Sequence, residues 1–253
     1  MSHSPVTVVV PAKVGPISIG SSRRAIDDYL SQVLAPYDEN ERVDPYRQAM
    51  DGRDLERMAE HYKLDPAALD ALAAKMHEWS GNPAVVEDGT LYEIRTYNPK
   101  SKWDWWTIGG RWSGYFKAKP DTEYATGSPG VFDNAPTPGF ADIIRQGDVD
   151  WEGMAHDAME KAREWYRECV AKGRPPVLFG PAPADEDEFA RSAASPATHA
   201  VIDADGEWAE SGTMGWFGVE IDPKDPKEWA DEYVRYIGSL DRDDILVVVD
   251  CHI

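Results

Sequence analysis

Two short runs, Val6–Val10 and Ile245–Val249, are built almost wholly from β-branched and other apolar residues. Successive residues of a strand point to opposite faces, so a run that is apolar at consecutive positions cannot lie with one side in water. Each run therefore reads as a buried strand, and together they read as central neighbours of one sheet. Whatever else the chain does, it must cover both faces of that sheet.

The segments between them supply the cover. Ile26, Tyr29, Leu30, Val33 and Leu34 recur at helical spacing over Arg23–Leu34, with Ser21 or Ser22 as the expected N-cap. Asp51–Tyr62 and Asp65–Trp79 read as two further helices, the second opened by Asp65-Pro66 and stopped by Gly81-Asn82-Pro83. Trp151–Lys172 is the clearest helix, with Met154, Ala155, Ala158, Ala162, Trp165, Cys169 and Val170 on one face. Pro226–Leu240 places Trp229, Tyr233, Val234, Ile237 and Leu240 inward. Leu91–Tyr97 alternates as a strand, and Thr198–Ile202, Asp205-Gly206 and Glu207–Met214 read as a hairpin. The expected class is α+β: an antiparallel or mixed sheet with packed helices, with a ferredoxin-like core carrying insertions as the topology. One domain is expected over residues 1–253, irregular near 126–140 and 175–195, where Gly, Pro and acidic residues gather.

Composition narrows the function classes. The chain has 253 residues and a net charge of −20. That field opposes DNA, RNA and anionic membranes, so no direct nucleic-acid partner and no membrane partner are expected. No apolar run approaches the roughly 20 residues of a spanning helix, and the first ten residues lack the pattern of a secretory signal. Cys169 and Cys251 follow no metal or redox spacing. A cytosolic setting is expected.

Against this acidic background, the window Leu91–Pro120 is basic. It holds Arg95, Lys100, Lys102, Arg111, Lys117 and Lys119 against Glu93 and Asp104, together with Trp103, Trp105, Trp106 and Trp112. The segments Lys102–Ile108 and Arg111–Lys117 flank Gly109-Gly110 and take the form of a two-residue β-hairpin. Alternation then places Trp103, Trp105, Thr107, Trp112 and Phe116 on a core face, with Gly114 leaving room under an indole. The other face would carry Lys102, Asp104, Trp106, Ile108, Arg111, Ser113, Tyr115 and Lys117. Lys102 and Lys117 would oppose each other, a repulsion that a bound anion relieves. Arg111 offers a planar fork for phosphate, and Trp106 and Tyr115 offer faces for a base. The expected ligand site is Lys102, Asp104, Trp106, Arg111, Ser113, Tyr115 and Lys117. The alternative is a hydrophobic core with solvated surface lysines and an Asp104–Arg111 pair. A second cluster, Gly212–Gly218, could add a backbone amide nest.

Conventional chemistry is thinly represented. The six histidines show no paired helical zinc spacing, so no metal or other cofactor is expected. No phosphate-binding Gly-Lys-Ser/Thr loop, dinucleotide fingerprint or Gly-x-Ser-x-Gly elbow occurs. Asp250 and His252 can share one strand face, whereas Cys251 points to the other.

The stretches Asn98–Trp106 and Ile108–Gly114, the Gly215–Gly218 element and the terminal Val249-Asp250-Cys251-His252-Ile253 resemble sequences of uncharacterised phage and prophage proteins. The resemblance brings no catalytic residue with it. It implies a role in phage–host conflict, in the cytosol of an infected cell. The first expectation is a binding protein that sequesters a phosphorylated nucleotide-like small molecule, such as a host immune signal. Two alternatives are a nucleotide- or phosphoester-processing enzyme using Asp104 or the Asp250/His252 pair, and an acidic protein that mimics DNA or inhibits a host protein.

Overall fold

The computed structural model describes residues 2–14, 18–20, 23–129, 137–175, 185–214 and 220–252. Its α+β fold divides into two compact units. The larger comprises residues 1–36 and 102–253, and the smaller residues 37–101.

The chain opens with β1 (His3–Val10), followed by α1 (Arg23–Leu34), which buries Ile26, Leu30 and Leu34. The expected caps Ser21 and Ser22 lie outside the described residues.

The smaller unit follows. It contains β2 (Arg42–Ala49), α2 (Gly52–Tyr62), α3 (Leu69–Ala73), α4 (Met76–Ser80), β3 (Ala84–Glu87) and β4 (Thr90–Tyr97). Its sheet runs β2-β4-β3, all antiparallel. Asp51 caps α2 by accepting from the Asp54 amide at 2.7 Å, and Lys63 closes it in the left-handed region. The expected helix Asp65–Trp79 is two short ones instead. Ala68 lies outside the helical region and the Lys75 amide turns back on Leu72 O, so the backbone bends and both Leu72 and Met76 reach the core. The β3–β4 turn is Asp88-Gly89, with positive φ at both residues, as a tight hairpin requires. Glu93 is buried on this sheet. Burial alone would raise its pKa, but hydrogen bonds from Ser80, Asn82 and Arg95 outweigh that and hold it below the ordinary 4.5.

The rest of the larger unit is β5 (Trp105–Gly110), β6 (Phe116–Lys117), β7 (Tyr124–Ala125), β8 (Ser128–Pro129), β9 (Phe140–Ala141), β10 (Ile143–Arg145), α5 (Trp151–Ala171), α6 (Glu186–Ala193), β11 (Ala200–Ile202), β12 (Trp208–Glu210), β13 (Thr213–Met214), β14 (Glu220–Ile221), α7 (Pro226–Ser239) and β15 (Ile245–His252). The main sheet runs β12-β11-β1-β15-β10-β7, with β5 also on β15. β1 and β15 are antiparallel neighbours over their whole lengths, His3 opposite His252 and Val10 opposite Ile245, while β1 and β11 are parallel. The sheet is therefore mixed. Every residue of β15 is buried.

One face packs on α7 through Trp229, Tyr233 and Ile237 against Val9, Val201, Leu246 and Val248. Each such side chain contributes about 1.5–3 kcal/mol of burial. Val234, expected inward, is half exposed. Inside this core, Thr7 Oγ1 meets Tyr233 OH at 2.8 Å, and burial pushes the phenol up to about 12.

Three further expectations are corrected. The acidic segment inside 175–195, expected as an irregular loop, contains α6. Asp185 caps it, and Glu186, Asp187 and Glu188 occupy its first turn, where the helix dipole favours anions. α6 covers α5, stacking Phe189 on Trp165 at 5.3 Å. The Gly109-Gly110 hairpin is not made. β5 pairs with β15 and β8, β6 pairs with β9, and residues 111–114 are turns. Trp105, expected in the core, is 43% exposed.

Because the Glu93 carboxyl is held low, its contribution to stability is present above pH 4.5 and is lost as pH falls through its lowered pKa. The wild-type chain should therefore lose more stability below pH 4.5 than Glu93→Gln, as read from urea unfolding at a series of pH values.

Candidate functional site

The Gly-Gly segment fails to form a hairpin because two buried aspartates capture it. Asp142, between β9 and β10, has no exposed surface. Its Oδ2 accepts from Ser113 Oγ at 2.8 Å and the Gly127 amide at 2.6 Å, and its Oδ1 accepts from the Gly114 amide at 2.5 Å. Asp250, on β15, accepts from the Arg111 amide at 2.9 Å through Oδ2 and from His3 Nδ1 at 2.9 Å through Oδ1. Gly109 and Gly110 both have positive φ. A Cβ on Gly109 would sit 2.6 Å from an Asp142 carboxylate oxygen, and one on Gly110 would land on the Asp250 side chain. The glycines therefore let backbone pass over two carboxylates, and backbone amides supply the solvation that water would give outside.

The seven expected ligand residues are dispersed by this wrapping. Lys102 Nζ donates to Glu210 Oε1 at 2.6 Å, and Lys117 Nζ donates to Asp157 Oδ2 at 2.7 Å. The lysines expected to face each other are thus each held by a carboxylate. Asp104 pairs with His252, Oδ1 to Nδ1 at 2.6 Å. Trp106 lies opposite Cys251 in the β5–β15 register. The Arg111 side chain is exposed. The Tyr115 hydroxyl donates to Pro196 O at 2.9 Å, and burial raises its pKa. Arg95 and Lys100 belong to the smaller unit.

Ser113 and Tyr115 do converge, together with Trp112, on one concavity. A cleft of about 340 Å³ is lined by Trp112, Ser113, Gly114 and Tyr115 on one side, Asp157 and Lys161 of α5 on another, and Ser195-Pro196 beyond. Its size falls at the lower end of small-ligand sites. Trp112, Phe140 and Met154 give it apolar walls, and Lys161 is an exposed cation at its rim. The Lys117 ammonium holds the Asp157 carboxyl below its ordinary pKa.

A second constellation was not assembled by sequence reasoning. His3, His252 and Trp105 stand in one row across β1, β15 and β5. The His3 and His252 ring centroids are 4.7 Å apart, and Trp105 stacks on His252 at 5.1 Å and 18°. The signal lay in the two terminal strands: once they pair antiparallel from Val6–Val249 outward, His3 meets His252. The thiol of Cys251, the neighbour of His252 on β15, is fully buried, and burial and then the Asp250 charge raise its pKa. Among the described residues, no group of three or more His, Cys, Asp or Glu could hold a metal ion, and no helix is long and apolar enough to cross a membrane. Residues 215–219 of the expected amide nest lie outside the described residues.

Comparison of the chain with protein-family models, with curated proteins and with solved structures finds no match.

The wrapped loop makes a stability prediction. Asp142→Ala removes three donors' acceptor and strands buried amides, which should cost about 3 kcal/mol or more in denaturant unfolding. Ser113→Ala removes one of those donors and should cost about 1 kcal/mol. Gly110→Ala should be as damaging as Asp142→Ala, because the new methyl group meets the Asp250 side chain at a backbone angle that alanine disfavours.

Proposed function

We propose that the chain binds a small, planar, anionic ligand of the phosphorylated nucleotide class in the cleft between the Trp112–Tyr115 turn and α5. The observation that carries this reading is the cleft itself, where an indole and a cation flank a volume of about 340 Å³. Trp112 and Phe140 would take the flat part of the ligand, since stacking on an aromatic face is worth about 1–3 kcal/mol per base. Lys161 would take the anionic part, with the Ser113 side chain and the neighbouring turn at the back of the cleft. The lining carries Asp157 as well, which disfavours the anion until Lys117 neutralises it. The expected ligand face of the hairpin is thus replaced by a site that keeps Ser113, Tyr115 and, through Asp157, Lys117. Lys102, Asp104, Trp106 and Arg111 are no part of it.

The resemblance of the tryptophan and glycine motif to phage and prophage proteins supports placing the ligand among host defence signals, bound and withheld in the host cytosol. We extend the proposal to the frame. The succession β1, α1, β11, β12, α7, β15 follows the strand–helix order of a ferredoxin-like core with insertions, but departs from its split arrangement in that β1 lies directly beside β11 and parallel to it.

Titration calorimetry with a panel of linear and cyclic mono- and dinucleotides tests the reading. Binding is expected for at least one member, weakened about tenfold by Trp112→Ala and several-fold by Lys161→Ala. Asp157→Asn should strengthen it several-fold by removing a negative charge from the wall. No heat from any nucleotide, or equal affinity in Trp112→Ala, overturns it.

A further inference from the structure

The row His3–His252–Trp105 has the organisation of an acid–base site. Each imidazole uses Nδ1 on a carboxylate: His3 on Asp250 at 2.9 Å and His252 on Asp104 at 2.6 Å. Such a bond orients the ring and fixes which nitrogen is left to react, here Nε2 in both. Among the described residues neither Nε2 has a hydrogen-bond partner, and none of those residues has a side-chain nitrogen or oxygen that is both sealed and partnerless. Neither Nε2 is therefore completely sealed, although the His3 and His252 side chains are only 8% and 7% exposed. The rings touch at 4.7 Å, so one substrate group can meet both. Trp105, 43% exposed and stacked on His252, supplies an open aromatic face beside them.

Burying two carboxylate–imidazole pairs side by side is an expensive way to join three strands, since apolar residues of similar size would do it without desolvating charge. The nucleophile is not from the neighbouring side chains. Ser4 is buried, and Cys251 is buried with its thiol pKa raised. In β1 and β15 these residues alternate with the histidines and point to the opposite face.

We infer that His3 and His252 form a general acid–base pair that hydrolyses a phosphodiester bond in a small nucleotide, the base of which rests on Trp105. One neutral ring takes a proton from water at Nε2 as the water oxygen bonds to phosphorus. The other ring, protonated, gives its Nε2 proton to the ester oxygen as the phosphorus–oxygen bond breaks. A phosphomonoester and a free hydroxyl result, and exchange with solvent restores the two rings. An imidazolium is suited to an anionic phosphoryl oxygen and to an alkoxide leaving group. The net charge of −20 repels a polynucleotide far more strongly than a mono- or dinucleotide. Asp104 and Asp250 are positioning residues that orient the rings.

The test incubates the whole chain with 2′,3′-cyclic and 3′,5′-cyclic mononucleotides and 3′,3′-cyclic dinucleotides, followed by phosphorus NMR. Conversion to a phosphomonoester is expected. His3→Gln and His252→Gln should each lower the rate by 100-fold or more. Asp104→Asn, at a partly exposed position, should lower it less and alter the pH profile, and it keeps the test open if a histidine variant fails to fold. Lys227→Ala, at an exposed position of α7, should leave the rate unchanged, and nucleotide binding in the cleft is read by calorimetry apart from product formation, so a failure of the binding proposal is distinguishable from a failure of this one. No product from any of these nucleotides, or an unchanged rate in folded His252→Gln, overturns the inference.

Discussion

The antiparallel pairing of β1 with β15 is the constraint on which the larger unit depends. Eight residue pairs, from His3–His252 to Val10–Ile245, join the two ends of the described chain through the middle of the sheet. β15 is buried throughout and β1 over Val6–Val10, so a slip of one residue would exchange valines with Thr7, Asp250 and His252 between the faces. The same register fixes the chemistry. It sets Asp250 beside the Gly-Gly segment, where it accepts the Arg111 amide, and it sets His252 between His3 and Trp105.

The buried aspartates decide how the tryptophan-rich segment folds. A Gly-Gly pair between alternating residues reads as a hairpin turn, because glycine supplies the positive φ that such a turn needs. The positive φ is present at Gly109 and Gly110, but it serves a close crossing over Asp142 and Asp250 instead. A local motif cannot disclose this, since Asp142 lies about thirty residues on and Asp250 at the far end of the chain. A charge buried without partners costs several kcal/mol. Satisfying two of them with backbone amides therefore outweighs the modest gain of a two-stranded ribbon.

What was legible in the sequence follows the same division between local and distant causes. The helices α1, α2, α5 and α7 were readable because their caps and apolar stripes lie within a few residues of one another, as with Asp150 before α5 and Asp225 before α7. The central strands were readable from their double-sided apolar character. Of the smaller sheet only the alternation of Leu91–Tyr97 was read; the Asp88-Gly89 turn and β3 were missed, and Arg42–Ala49, the third strand, is largely exposed and broken in register after Arg42 near Pro45. α6 was hidden because its carboxylates look like a solvated run, whereas its first turn and Arg163 and Arg167 of α5 give them counter-charge. The candidate site was legible in its residue types and not in its geometry. Ser113 and Tyr115 reach the cleft, but the partners of Lys102, Lys117 and Asp104 come from Glu210, Asp157 and His252, which only the tertiary fold brings near.

That outcome reflects the charge balance of the whole chain. With 46 acidic side chains against 26 basic ones, a cation is far more readily matched by an internal carboxylate than an anion by a spare cation. Lys102, Lys117 and Arg95 are each taken up in this way by Glu210, Asp157 and Glu93. A basic window in such a chain therefore marks where carboxylates need neutralising, and does not by itself mark where a ligand binds. An incoming anion must compete with those carboxylates and with the field of the whole surface, so its charge alone gives it little hold. Flatness gives it more, because a ring gains from the indole of Trp112 or Trp105 whatever the net charge. The two sites argued above share that feature: each sets an aromatic face beside a cationic or protonatable group, and the aromatic face supplies the attraction that the electrostatics withholds.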